Sequence, residues 1–73
     1  MAKYVKVVNK TVAESFSGAL MDTTDGQLYA VTAETAPIGP EWPAVEFVDD
    51  AGDTCELNIR WHLEAGTVEI VEV

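Results

Sequence analysis

Apolar and polar side chains alternate with a period of two along much of this 73-residue chain. The clearest run places apolar residues at every second position, at Cys55, Leu57, Ile59 and Trp61. Because successive residues of a β-strand point to opposite faces of a sheet, this run predicts a strand with one apolar face and one polar face. The pattern also places Trp61 in the core. Most of the chain is therefore expected to form short β-strands.

A second strand is predicted immediately before this one, from Val45 to Val48. The segment Asp49–Asp53 joins the two, and it is rich in Asp and Gly, which tolerate the backbone conformations of tight turns. These features together predict a β-hairpin. Further strands are predicted where valine, leucine and tyrosine are frequent, at Tyr4–Val8, Gln27–Ala33 and Val68–Val73.

The segment from Lys10 to Asp22 is compatible with two structures. Thr11 and Glu14 have the spacing of a capping box, which would begin a short helix near residues 12–21 and make the fold α+β. Against this, Gly18 would cost the interior of a helix about 1 kcal/mol relative to alanine. Residues 19–21 can instead form one arm of a hairpin whose turn is Asp25-Gly26. We favour the hairpin and keep the helix as the alternative.

Five or six short antiparallel strands in a single domain, residues 1–73, can avoid open edges by curling into a small barrel. The segments that carry a family resemblance are Tyr4–Val8, Asp25–Val31, the hairpin Phe47–Asp53 and the closing strand Val68–Val73. Their order resembles that of small SH3-like barrel proteins, many of which are encoded by phages. The resemblance implies a mainly β, SH3-like barrel and an accessory protein that acts on a host cell. It transfers no ligand-binding residues, because folds of this kind bind many different partners.

The proline-rich segment between Ala36 and Pro43 predicts an irregular, semi-rigid loop, because proline fixes φ and removes a backbone donor. Trp42 lies in this loop, outside the alternating pattern. Tryptophan is enriched at binding hot spots, which would make Trp42 an anchor for a partner. It also buries a large area, so it can equally fold back over one end of a small core. Both interpretations are open at this stage.

Charge limits the choice of partner. The chain has thirteen acidic and four basic residues, a formal net charge of −9, and Arg60 is the only Lys or Arg after Lys10. Direct binding to nucleic acid is not expected, because phosphates are held by cations. A basic surface on another protein is favoured, since complementary charge steers association. The candidate partner-binding residues are Trp42 and the acidic residues of the predicted hairpin: Glu46, Asp49, Asp50, Asp53 and Glu56.

No motif predicts catalysis, a metal or a cofactor. Cys55 is the only cysteine and His62 the only histidine, so neither an internal disulfide nor a zinc cluster is expected, and a reducing cytoplasm is favoured. The acidic hairpin lacks the twelve-residue calcium loop with its terminal Glu. No apolar run approaches the ~20 residues that span a bilayer, so no membrane association is expected.

These observations predict a non-enzymatic, acidic protein-binding module of the cytoplasm, or of the host cytoplasm if a phage encodes it. It would inhibit a nucleic-acid-handling protein, such as a polymerase, a nuclease or a nucleoid protein, by imitating nucleic acid on its basic surface. We expect a monomer or a weak homo-oligomer. The alternative is a self-associating structural protein of a virion or scaffold, in which the valine-rich terminal strands pair between copies.

Overall fold

The computed structural model describes residues 2–14, 18, 20–36 and 39–73. The elements within them are β1 (Lys3–Val7), α1 (Lys10–Glu14), β2 (Leu28–Thr35), β3 (Ala44–Val48), β4 (Thr54–Asn58), α2 (Ile59–Ala65) and β5 (Val68–Glu72). The strands form one sheet in the order β4-β3-β2-β1-β5, and every neighbouring pair is antiparallel. The mainly β fold of five short antiparallel strands is confirmed. Neither helix among the described residues has the length and hydropathy needed to traverse a lipid bilayer.

The sheet bends around one core at β2. The first half of β2 pairs with β1 and the second half pairs with β3, with an irregular register between Val31 and Ala33. Such an irregularity bends a strand and increases its twist. Apolar side chains from every strand then meet in one cluster: Val5, Val7, Ala13, Leu20, Tyr29, Val45, Phe47, Leu57, Ile59 and Val68.

The predicted hairpin is confirmed as β3 and β4. Phe47 lies opposite Cys55, and Val45 lies opposite Leu57, so the apolar side chains share the core face. In the turn, Gly52 has a φ of 83°, a conformation that glycine adopts without the steric cost of a side chain. Alternation and turn chemistry therefore identified this element correctly.

β4 ends earlier than the alternation predicted, and a helix follows it. The strand stops at Asn58, whose side chain accepts a hydrogen bond from the backbone nitrogen of Trp61 at 3.3 Å and so caps α2. Gly66 ends α2 in the left-handed conformation, with a φ of 73°. The prediction that Trp61 lies in the core is wrong, because its residue is 52% exposed.

Residues 10–14 form a helix, and the hairpin that we favoured for Lys10–Asp22 is wrong at the described positions. Residues 20–22 lie in a turn and do not pair with β2. The cap of α1 is Asn9, which accepts a hydrogen bond from the backbone nitrogen of Val12 at 3.3 Å, and not Thr11. The α+β alternative correctly included a helix, although α1 begins earlier, at Lys10. Residues 15–17 and 19, which the prediction also covered, lie outside the described residues.

The two terminal strands pair with each other. β1 lies inside the sheet, between β2 and β5, with Lys3 opposite Glu72 and Val7 opposite Val68. In the described part of the chain, no strand pairs with the outer side of β5. Self-association through terminal strands would therefore use β5, because using β1 would first require this ladder to break.

Candidate protein-binding surface

The candidate partner-binding residues occupy three places along the β3–β4 hairpin. Trp42 lies just before β3, Glu46 lies within it, and Asp49 begins the turn at its far end. Because a strand rises about 3.3 Å per residue, the seven residues from Trp42 to Asp49 span roughly 20 Å. The structure therefore separates the tryptophan from the aspartates of the turn.

Asp49 holds the turn together. It is only 8% exposed. Its Oδ1 accepts hydrogen bonds from the backbone nitrogens of Asp53 at 2.9 Å and Ala51 at 3.0 Å, and its Oδ2 accepts one from the Cys55 thiol at 3.2 Å. These hydrogen bonds, with that from Asp53 the strongest cause, lower the pKa of Asp49 because they favour its charged form. Asp49 is thus a structural residue of the turn.

Cys55 is held in its neutral form beside Asp49. Burial, reinforced by the neighbouring carboxylate of Asp49, raises the pKa of the Cys55 thiol to about 11. The thiolate is the nucleophilic form of cysteine, so this thiol is unreactive at neutral pH. The same hydrogen bond therefore places Cys55 in a structural role as well.

Asp50 joins the turn to the loop before β2. Its carboxylate accepts hydrogen bonds from the hydroxyl of Thr24 at 2.8 Å and from that of Tyr29 at 3.0 Å. The Tyr29 oxygen in turn accepts a hydrogen bond from the backbone nitrogen of Thr24 at 2.9 Å. The backbone nitrogen of Asp50 also donates to the carbonyl oxygen of Asp22 at 3.0 Å. The two loops therefore form one hydrogen-bonded unit.

This unit brings Asp22 to the turn, a residue that sequence analysis left out. Carboxylate oxygens of Asp22, Asp49 and Asp53 lie within 4.8 Å of one another. With Asp50 we call these residues the acidic turn cluster. Asp22 precedes the turn by more than twenty positions, so only the folded chain reveals the proximity. Three carboxylates could each offer one oxygen to a cation, fewer than the six to eight oxygens that surround calcium.

No ion pair neutralises the acidic turn cluster within the residues that the structure describes. Lys3 Nζ contacts carboxylate oxygens of Glu34 at 2.6 Å and Glu72 at 3.9 Å. Lys10 comes nearer, but its Nζ donates to the backbone carbonyls on either side of Asp22, those of residues 21 and 23. Among the described residues, the carboxylates of the cluster therefore have no direct cationic partner.

Glu46 and Glu56 form a second acidic patch on the outer face of the sheet. They lie directly opposite each other on β3 and β4, and like charges at such positions repel. Glu56 accepts a hydrogen bond from the Thr35 hydroxyl at 3.4 Å, while Glu46 is half-buried. This patch lies between the acidic turn cluster and Trp42.

Trp42 packs against α2 and is half-buried, so it lies neither wholly inside the core nor free in the loop. Its ring centroid is 6.1 Å from that of Trp61, and the two rings are nearly perpendicular, at 88°. The guanidinium carbon of Arg60 lies 4.9 Å from the centroid of the Trp42 ring. We call Trp42 and Trp61 the aromatic corner. The contact of Trp61 with Trp42 was not predicted, because Trp61 continues the alternating pattern of β4 in the sequence.

His62 is a structural residue of α2. It is 2% exposed, and its Nδ1 lies 2.8 Å from the hydroxyl oxygen of Thr67. That hydroxyl donates its hydrogen to the His62 carbonyl at 3.1 Å, so it accepts a hydrogen bond from Nδ1–H. Burial lowers the pKa of His62. The side chain fastens the end of α2 to the residue that precedes β5.

Comparison of the chain with protein-family models, curated proteins and solved structures gave no match. Function is therefore inferred from the surface and the chemistry of these residues.

Proposed function

We propose that this protein is a non-enzymatic module that docks its acidic surface on a basic surface of another protein. The observation that carries the proposal is the acidic turn cluster, where three carboxylates meet within 4.8 Å without an ion pair among the described residues. Like charges held this close repel each other. A cationic partner would relieve that repulsion and would be steered towards it by the net charge of −9.

The residues of the cluster would contribute differently. Asp22 and Asp53 are exposed and lie at the surface that a partner would meet. Asp50 is exposed but also joins two loops, and Asp49 supports the turn from beneath. An exposed ion pair contributes only about 0.2–1 kcal/mol, so affinity would require several carboxylates to act together. The patch of Glu46 and Glu56 would extend the contact along the hairpin.

In its specific form, the proposal is that the partner handles nucleic acid in the cytoplasm. A polymerase, nuclease or nucleoid protein holds phosphates with Lys and Arg, and this protein would inhibit it by occupying those cations. The acidic composition and the resemblance to small phage-encoded SH3-like barrel proteins support this form. They also suggest that the partner belongs to a host cell.

The experiment is affinity capture from a bacterial lysate, followed by calorimetry with the purified partner. The test variant is Asp22→Asn/Asp53→Asn, which spares Asp49 and so preserves the turn. The control is Glu14→Gln/Glu69→Gln, which removes the same charge from exposed residues outside the cluster. We expect the test variant alone to lose the partner.

Salt provides the second measurement. Surface charge is screened over about 8 Å at physiological ionic strength, so binding should weaken steeply as salt is raised. Salt-insensitive binding would contradict the proposal. Equal losses in both variants would also contradict it, because they would indicate attraction by net charge alone and no docking at the cluster.

A second candidate function, self-association into an assembly, is favoured by the free edge of β5. Unpaired backbone groups on an edge strand can pair with another chain. Sedimentation of the native protein at micromolar concentration tests this candidate. A stable oligomer that Val71→Lys on β5 dissociates, and that Val48→Lys on β3 does not, would support it. A monomer would rule it out.

A further inference from the structure

We propose that the aromatic corner receives a Lys or Arg side chain from the partner, as a second contact remote from the acidic turn cluster. This inference rests on the proposed function, because it assigns a further part of the surface to the same basic partner. It joins two residues that sequence alone treated differently, Trp42 as a possible anchor and Trp61 as a core residue.

Trp61 leaves much of its side chain in solvent, since the residue is 52% exposed. A chain of this length has little apolar surface to spare for its core, so leaving much of a tryptophan in solvent forgoes stabilisation. Tryptophan and arginine are also the residues most enriched at binding hot spots. The corner therefore has the composition of a binding surface.

The aromatic corner is fixed before any partner arrives. The backbone nitrogen of Ile59 donates to the carbonyl of Pro43 at 3.2 Å, and Arg60 Nη1 donates to the carbonyl of Glu41 at 3.3 Å. These bonds tie the loop that carries Trp42 to the first turn of α2. A surface that is already ordered loses less conformational entropy on binding.

The chemistry of the aromatic corner favours a cationic occupant. The faces of aromatic rings attract cations, and the Trp42 ring already has the Arg60 guanidinium of its own chain 4.9 Å from its centroid. Glu41, an exposed carboxylate, precedes Trp42, and Glu64 forms an ion pair with Arg60 Nε at 3.6 Å that offsets the charge of the guanidinium. An anionic occupant would be repelled by the net charge of −9. A Lys or Arg side chain on the exposed Trp61 ring would be attracted both by the aromatic face and by the net negative charge of the protein.

The two contacts constrain the shape of the partner. The corner and the cluster lie at opposite ends of the β3–β4 hairpin, roughly 20 Å apart by the rise of a strand. The partner must therefore present basic residues over that span, either on a folded surface or along an extended segment. An extended peptide of about seven residues would just reach from one contact to the other.

The test uses peptides of about ten arginines, long enough to reach both contacts by the rise of an extended chain. Binding is measured by anisotropy of a dye on the peptide, so that removing a tryptophan does not remove the signal. We expect Trp61→Ala to weaken binding about five- to thirty-fold, the size of a partly desolvated cation–π contact. Trp61→Phe, which keeps an aromatic face, should lose less. Leu63→Ala is the matched control and should bind as the native protein does.

Comparison with Asp22→Asn/Asp53→Asn separates this inference from the proposed function. Because the two contacts are far apart, combining Trp61→Ala with the two aspartate substitutions should weaken peptide binding by the product of the two separate fold-changes. Unchanged peptide binding by Trp61→Ala, with weakened binding by the aspartate variant, would overturn the inference and leave the proposed function intact. The reverse result would support the corner as a cation site and count against docking by the cluster. No effect of either variant would overturn both.

Discussion

The two ends of the β3–β4 hairpin are built on different principles. At the turn, charged residues also hold the structure: Asp49 accepts hydrogen bonds within the turn, and Asp50 accepts those that join it to the loop before β2. At the other end, the buried residues Ile59 and His62 hold α2 against the core, whereas Trp61 is exposed and forms the candidate contact surface. Substitutions of Asp49 or Asp50 therefore change stability and binding together, whereas a substitution of the exposed Trp61 separates the two.

The largest effect is expected from Phe47, which lies between the two ends and on which both depend. Phe47→Ala should lower the free energy of unfolding by about 3–5 kcal/mol, because it removes a fully buried side chain and leaves a cavity. That approaches the total stability of a small domain. Thermal denaturation should therefore show the variant largely unfolded. Val48→Ala, exposed on the same strand, is the control, and separate unfolding of the two ends would contradict the expectation.

The next effect is confined to α2 and β5. Thr67→Val keeps the shape of the side chain but leaves the Nδ1–H of His62 without the hydroxyl acceptor that it uses. Burying an unsatisfied donor costs about 1–3 kcal/mol, and urea denaturation would measure it. Thr54→Val, at an exposed position on β4, should be close to neutral. Equal effects of the two substitutions would show that the buried hydrogen bond contributes nothing.

Acidic pH should lower the free energy of unfolding first through His62 and, in stronger acid, through Asp49. Burial lowers the pKa of His62 below its ordinary value of 6.5, so the unfolded chain binds a proton that the folded chain does not. The free energy of unfolding should therefore fall as the pH drops below about 6.5. His62→Gln should flatten this dependence in urea denaturation between pH 7.5 and 5. The lowered pKa of Asp49 acts only in stronger acid, below its ordinary value of 3.8.

The smallest effects should distinguish residues within the acidic turn cluster. Asp49→Asn should lower the melting temperature, because it removes the charge that strengthens the hydrogen bonds of the turn. Asp53→Asn should leave the melting temperature unchanged or raise it, because it relieves repulsion at an exposed position. Differential scanning calorimetry of the two variants makes the comparison. A similar loss of melting temperature in both variants would mean that the Asp53 side chain supports the turn as much as that of Asp49 does.

The strands were predictable from local signals, and the errors arose where a local signal had two interpretations. The β3–β4 hairpin followed from alternation and turn residues. The same alternation was extended past Asn58 to Trp61. However, Asn58 is a residue type that commonly caps the start of a helix, and Gly66 is one that commonly ends it, with room for a short helix between them. Recognising them would have identified α2. Around α1, the cap at Asn9 was overlooked in favour of Thr11.

The candidate surface was less predictable, because its residues meet only through tertiary structure. Asp22 reaches the turn through the backbone hydrogen bond to Asp50, and Trp61 reaches Trp42 because Ala44 lies opposite Asn58. Neither contact leaves a pattern in the sequence. Composition identified the chemistry of the surface, an excess of carboxylates, but did not indicate which of them support the fold.

The pairing of β1 with β5 has a consequence for how the chain folds. The β3–β4 hairpin closes over a short turn, while the terminal ladder brings together residues near opposite ends of the chain, such as Val5 and Ile70. The entropy of closing so long a loop is lost before any ladder contact compensates for it, which slows folding. During synthesis the hairpin can form early, but β1 gains its second neighbour only after β5 has left the ribosome. Until then β1 is an exposed strand edge that a chaperone or a second nascent chain can bind.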